Sequence, residues 1–121
     1  MKKLIFLFSL FIAFQAVAQE GIRFRHCSWE EAKAMAKKEK KPIFIDFYTQ
    51  WCGPCLNMAE NIFTLGSVGN FYNDHFVCLK IDAETGEGVE LAKKYEVASF
   101  PTFVFVNPKT EKAIHISGSN Q

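Results

Sequence analysis

A layered α/β domain on a partly parallel sheet is the fold class this sequence predicts, and three observations predict it. Strand-like apolar segments alternate with helix-like ones, the last two strands are joined by a short turn, and residues 42–48 form an apolar run suited to a sheet covered on both faces. A length of 121 residues allows one domain at most. With 49% hydrophobic residues, 13 of them Phe, the chain has the material for a core and lies far from disordered compositions. Its 14 basic and 13 acidic residues nearly balance, and no basic block is long enough for a nucleic-acid footprint.

The first segment is read as an export signal rather than as part of the fold. Lys2 and Lys3 precede an apolar run at residues 4–14, and Ala16-Val17-Ala18 matches a small-x-small cleavage pattern, so residues 1–18 would be removed and Gln19 would become the first residue. An uncleaved anchor is the alternative, disfavoured by the shortness of the run. No cysteine follows the cleavage site, so a lipid anchor is not indicated. The expected location is periplasmic or otherwise extracytoplasmic, where disulfides form and are managed.

The domain, residues 19–121, is then read element by element. Residues 21–25 are a short strand candidate. Ser28 and Glu31 form a capping box that starts a helix running to about residue 40, with Trp29, Ala32 and Ala36 on its buried face and Lys33, Lys37, Lys38 and Lys40 on a solvated one. Pro42 ends that helix and opens the strand containing Asp46. A second helix spans residue 52 to about 63 and buries Cys55, Met58, Ala59 and Ile62 at helical spacing. Residues 66–73 suggest a short irregular helix, 76–82 a strand and 87–95 a helix. Strands at 102–106 and 113–116 flank a turn at 107–109 and close the domain.

The most informative chemistry is Trp51-Cys52-Gly53-Pro54-Cys55, directly after the strand with Asp46. Two cysteines separated by two residues can close a small disulfide ring. A thiolate at a helix N-terminus is stabilised by unpaired backbone N–H groups and the helix dipole, which makes Cys52 the nucleophile. Cys55, one turn further in, is expected to be more buried and protonated at rest, suited to attack a mixed disulfide on Cys52. Asp46 lies in a nearly continuous apolar run, which favours burial over the alternative of a solvent-facing strand residue.

With Asp46 six residues before Cys52, the Trp-Cys-Gly-Pro-Cys signature, the strand at 77–82 and Ser99-Phe100-Pro101-Thr102, residues 44–107 resemble the thioredoxin superfamily. The helix at 28–40, the helix starting Cys55-Leu56-Asn57-Met58 and the export signal are similar to periplasmic thioredoxin-like proteins, including the reductase domain of DsbD-type proteins. The resemblance implies a thioredoxin-like fold, a central mixed β-sheet flanked by helices. It implies a cis-proline at Pro101 that faces the dithiol, with the Phe100 backbone pairing with an extended substrate segment. Asp46 would be the buried acid that exchanges a proton with Cys55. Trp51 would shield the disulfide and, with Gly53 and Pro54, form the docking surface. The implied activity is thiol–disulfide oxidoreduction, mainly reduction of protein disulfides, because Gly53-Pro54 is typical of reducing relatives. An oxidase or isomerase of the same fold, or a redox-inert peptide-binding or chaperone module, are the other readings. Expected partners are disulfide-bonded proteins and an upstream thiol electron donor, a membrane DsbD-type reductase being one candidate. No cofactor beyond the Cys52–Cys55 disulfide, no metal and no nucleic acid is expected.

Departures from the family pattern bear on redox poise. Cys78 stands where many thioredoxins carry a lysine near the buried acid, Tyr48 and Leu56 replace a common tryptophan and lysine, and Glu60 stands at the usual kinking proline. The expectation is a loss of positive charge around the dithiol. Cys27 and Cys78 are read first as small buried hydrophobes, with a Cys27–Cys78 disulfide as the alternative. His26-Cys27 with lone Cys78 lacks zinc spacing, and His75 and His115 are read as surface or packing residues. The family pattern ends in a helix, yet the sequence stops at Gln121. The expectation is a domain lacking its C-terminal helix: a piece of a longer polypeptide, or a fold with part of one face covered by a partner.

Overall fold

The computed structural model describes residues 20–118; the expected export segment, residues 1–18, lies outside them. The chain runs α1 (Trp29–Glu39), β1 (Ile43–Tyr48), α2 (Gly53–Asn61), α3 (Gly66–His75), β2 (Val77–Asp82), α4 (Gly88–Lys94), β3 (Thr102–Val106) and β4 (Ala113–Gly118). The sheet order is β2-β1-β3-β4. β1 pairs parallel with β2 and antiparallel with β3, and β3 pairs antiparallel with β4, so the sheet is mixed as expected.

Local signals explain most boundaries. Glu31 N–H donates to Ser28 Oγ at 3.1 Å and Ser28 N–H to Glu31 Oε1 at 3.2 Å, completing the capping box that starts α1. Lys40 ends α1 in the left-handed conformation, φ 56°, donating its N–H to Ala36 O, and Pro42 forbids a further turn. Strand alternation then divides the core. Ile45, Phe47, Val77, Leu79, Val104 and Val106 face α1 and α4. On the opposite face Phe44 sits in an aromatic cluster, 4.8 Å from Tyr72, 5.1 Å from Phe105 and 5.8 Å from Phe103, with Cys78 beside it.

Four sequence expectations need correction. Residues 21–25 form no strand; they make a single parallel bridge, Phe24 to Cys78. Their other hydrogen bonds go elsewhere, Ile22 N–H to Phe63 O at 2.8 Å, and Gly69 of α3 has no room for a Cβ because it would collide with Glu20 O. With that close passage α3 is a regular ten-residue helix rather than an irregular one. Ile62 is exposed, because it sits at the C-cap of α2 with φ −115° and the chain turns there to bury Phe63 instead. Lys33 is buried rather than solvated: its Nζ lies 5.8 Å from the Trp29 ring centre, 2.7 Å from Glu30 and 3.3 Å from Glu111, which the β3–β4 turn delivers.

Candidate active site

β1 delivers the chain to the site. From Tyr48 the backbone turns through Thr49, Gln50 and Trp51, and Cys52 becomes the N-cap of α2 with Pro54 in the first turn, where its missing N–H is no loss. Cys55 N–H donates to Cys52 Sγ at 3.1 Å, so the sulfur occupies the position of a capping oxygen. The first turn of α2 carries no acidic residue to oppose a thiolate there. Cys52 and Cys55 are joined as a disulfide. Cys55 is the more buried, as expected, but by little: 5% exposed against 7% for Cys52. What separates the two sulfurs is place in the helix: Cys52 Sγ accepts the Cys55 N–H at the helix start, and Cys55 sits inside the first turn.

Of the expected docking residues, Trp51, Gly53 and Pro54 adjoin the cysteines along the chain, and Phe100 is tied to them through Trp51. Trp51 is 71% exposed, packs edge-on against Phe100 with ring centres 6.0 Å apart, and donates its indole N–H to Glu84. The Phe100–Pro101 peptide is cis, with Pro101 buried. The Trp51–Phe100 contact therefore joins the dithiol turn to the proline loop. Gly53 is exposed with nothing within 4 Å of where a Cβ would be, and Pro54 is exposed beside it, leaving that side of the disulfide open to a partner.

Beneath this surface Asp46 is 1% exposed, and its Oδ1 has no hydrogen-bond partner among the described residues. Burial pushes its carboxyl up to about 6, and Lys80 pulls it back part of the way. Lys80 is Asp46's partner in the parallel β1–β2 register, so the two side chains leave the same face of the sheet. Lys80 Nζ lies 4.9 Å from the centre of the Tyr48 ring. A cavity of about 450 Å³ opens beside the disulfide, lined by both cysteines, Trp51, Leu56 and Lys80; among the described residues Lys80 is the only charged side chain in its wall. The expectation of lost positive charge is thus corrected. The cation absent at Cys78 is supplied two residues later, on the same strand face. Strand alternation carries that signal, since positions 78, 80 and 82 must project together. Glu84, which holds Trp51, had no signal in the sequence.

Cys27 and Cys78 are both unpaired and sit on opposite faces of the sheet, Cys27 against the α1–α4 core and Cys78 in the aromatic cluster. Desolvation pushes the Cys78 thiol up to about 12, the behaviour of an inert packing residue. Among the described residues no group of three or more His, Cys, Asp or Glu side chains could hold a metal ion.

Comparison with known proteins agrees with this geometry. The family model described as Thioredoxin-like matches residues 24–108. A solution structure of a proposed disulphide-isomerase from Bacteroides thetaiotaomicron is 41% identical, with a TM-score of 0.74 and 84% of each chain covered. The solution structure of a thioredoxin from Thermus thermophilus is 26% identical with a TM-score of 0.71, covering 84% of this chain and 78% of that one. Thioredoxin-1 of Drosophila yakuba is 42% identical over 74 residues, which are 61% of this chain and 64% of that protein. The match thus spans slightly less than two thirds of that curated relative.

Proposed function

Because the chain belongs to the thioredoxin-like family, we propose that it is an extracytoplasmic thiol–disulfide oxidoreductase working mainly as a reductase of protein disulfides. The observation that carries the reading is the Cys52–Cys55 disulfide at the start of α2, with Cys52 Sγ as the helix cap. In the reduced protein the Cys52 thiolate, held by the Cys55 N–H and the start of the α2 dipole, attacks one sulfur of a substrate disulfide. A Cys52–substrate disulfide forms and the other substrate sulfur leaves as a thiolate, to be protonated by solvent. Cys55 then loses its proton, for which the Asp46 carboxylate is the proposed acceptor, and attacks Cys52 Sγ. The intramolecular disulfide forms and the second substrate thiol is released. Two electrons have passed to the substrate. An upstream dithiol restores the reduced pair, a membrane DsbD-type reductase being the proposed donor. Phe100 and Pro101 are proposed to pair with the extended substrate segment, beside Trp51.

Periplasmic location rests on residues 1–18 alone and is tested by N-terminal sequencing of exported protein, which should begin at Gln19. A second reading, disulfide isomerase, is favoured by the likeness to the Bacteroides thetaiotaomicron protein. The deciding experiment is the reduction potential of the Cys52–Cys55 couple against a glutathione buffer, with insulin reduction assayed in parallel. A reductase should sit near the thioredoxin value of about −270 mV and an isomerase nearer about −180 mV. A potential at the isomerase end, with recovery of scrambled substrate faster than insulin reduction, would replace the first reading by the second.

A further inference from the structure

A second concave surface lies at the other end of β1. The strand begins after Pro42 and delivers the chain to the disulfide at its far end, a run of roughly 20 Å for six residues at about 3.3 Å each. Around Pro42 the end of α1 and the β3–β4 turn enclose a cleft of about 510 Å³, within the range of about 300–1,000 Å³ usual for ligand sites. Its apolar wall includes Pro42, Pro108 and Ile114, and Ile114 is 63% exposed. Four lysines line it, Lys37, Lys40, Lys41 and Lys109, and among the described residues no carboxylate does.

The charge is what sets this cleft apart. The whole chain is nearly balanced at +1, so four lysines lining one concavity, with no carboxylate lining it among the described residues, are a concentration rather than a sample of the surface. Lys41 is engaged, donating to Asn73 O at 3.0 Å and lying 3.8 Å from Glu39. Lys37, Lys40 and Lys109 make no ion pair among the described residues. Glu39 is held by Arg25 at 3.0 Å, and Glu111, in the same hairpin, is turned to Lys94 and Lys33. Of these two acids only Glu39 reaches a cleft lysine, Lys41, and neither pairs with Lys37, Lys40 or Lys109. Apolar floor and cationic rim are complementary to a chain segment bearing an aliphatic side chain between carboxylates.

We propose that this cleft docks an acidic peptide segment of a partner protein, with an aliphatic side chain against Ile114 and flanking carboxylates on Lys37, Lys40 and Lys109. Concavity favours a peptide over a membrane surface, which would meet the lysines only along the rim. Since the disulfide lies at the opposite end of β1, docking leaves it accessible. The partner holds the protein without occupying its reactive sulfurs.

The test uses fluorescence anisotropy with a fluorescein-labelled synthetic peptide of one leucine between two glutamate pairs, against the same peptide with glutamines. The glutamate peptide should bind at low salt, weaken about tenfold towards physiological ionic strength, and bind at least about tenfold more weakly to K37E/K109E, with insulin reduction unchanged. The neutral peptide should not bind. Ile114→Ser should weaken binding without changing its salt dependence. Equal binding of the two peptides, or an unchanged affinity in K37E/K109E, would overturn the proposal. So would co-sedimentation of the protein with phosphatidylglycerol vesicles in the absence of peptide binding, since it would assign the lysines to a membrane. If the charge-reversed protein fails to fold by circular dichroism, K37A/K109A replaces it and the same tenfold criterion applies.

Discussion

Asp46 and Lys80 stand opposite each other in the parallel β1–β2 register, the first buried, the second exposed in the wall of the cavity beside the disulfide. Asp46 sits desolvated beneath the surface, and Lys80 is the charge that partly offsets that desolvation. Lys80→Met should therefore raise the Asp46 pKa above about 6 and move the alkaline-rising limb of the pH–rate profile for disulfide reduction the same way. Lys80→Arg should restore both. The readouts are carboxyl-resolved NMR titration and turnover against pH; profiles that superimpose in all three proteins would remove Lys80 from the site.

Asp46 itself should cost stability at neutral pH. Its folded pKa of about 6 lies above the ordinary value of 3.8, so the folded state binds the proton more tightly than the unfolded one. The favourable contribution of the protonated carboxyl is fully present below about 3.8 and is lost as pH rises through about 6. Asp46→Asn, which keeps the size and removes the charge, should be more stable than the parent at pH 7 by up to about 3 kcal/mol, with the difference closing towards pH 4. Urea unfolding at the two pH values measures this. The same variant should slow release of substrate from the mixed disulfide. Slower release without the stability gain would mean the carboxyl is not desolvated as described.

How far the sequence revealed this arrangement depends on the range of each interaction. The capping box at Ser28 and Glu31, the break at Pro42, the apolar strands and the Cys52–Cys55 spacing are settled within a few residues, and all were legible. The Asp46–Lys80 pairing was not, because it depends on the register of two strands joined through α2 and α3, and the family pattern directed attention to Cys78 instead. From the sequence Lys33 reads as solvated, because its burial needs Glu111, 78 positions away. The mixed sheet was legible as a class, but its order, with β1 between β2 and β3, is a property of pairing that periodicity does not contain.

Glu111 ties the hairpin to both helices of one face. Lys94 at 2.7 Å, then the Trp29 indole N–H at 3.0 Å, hold its carboxylate well below the usual range, at about 2, and Lys33 adds to this. The pKa is depressed, so the contribution is present above about 4.5 and lost as pH falls through about 2. The side chain is one-third exposed and solvent screens it, so Glu111→Gln should cost less than about 1 kcal/mol. Glu111→Ala should cost more, about 1–3 kcal/mol, because Trp29 Nε1 and the buried Lys33 lose an acceptor. Urea unfolding of the pair at pH 7 checks the order; equal losses would mean that the charge, not the acceptor, is what the hairpin supplies.

The division of labour between the sulfurs is the sharpest test of the site. In the reduced protein only Cys52 Sγ sits where the N–H groups at the start of α2 can hold a negative charge, while Cys78 is pushed up to about 12 by burial and Cys27 is raised by burial and by Glu31. Iodoacetamide at mildly acidic pH should therefore modify Cys52 well before Cys27, and Cys78 only after unfolding. Cys52→Ser should abolish insulin reduction, since no other thiolate is activated. Cys55→Ser should leave the first attack intact and accumulate a mixed disulfide, identified by mass spectrometry as a bond to Cys52. Turnover persisting in Cys52→Ser would transfer the nucleophile to another cysteine. Equal alkylation of all four residues would show that the helix start confers no activation, and the similar exposures of Cys52 and Cys55 would then leave nothing to tell attacking from resolving sulfur.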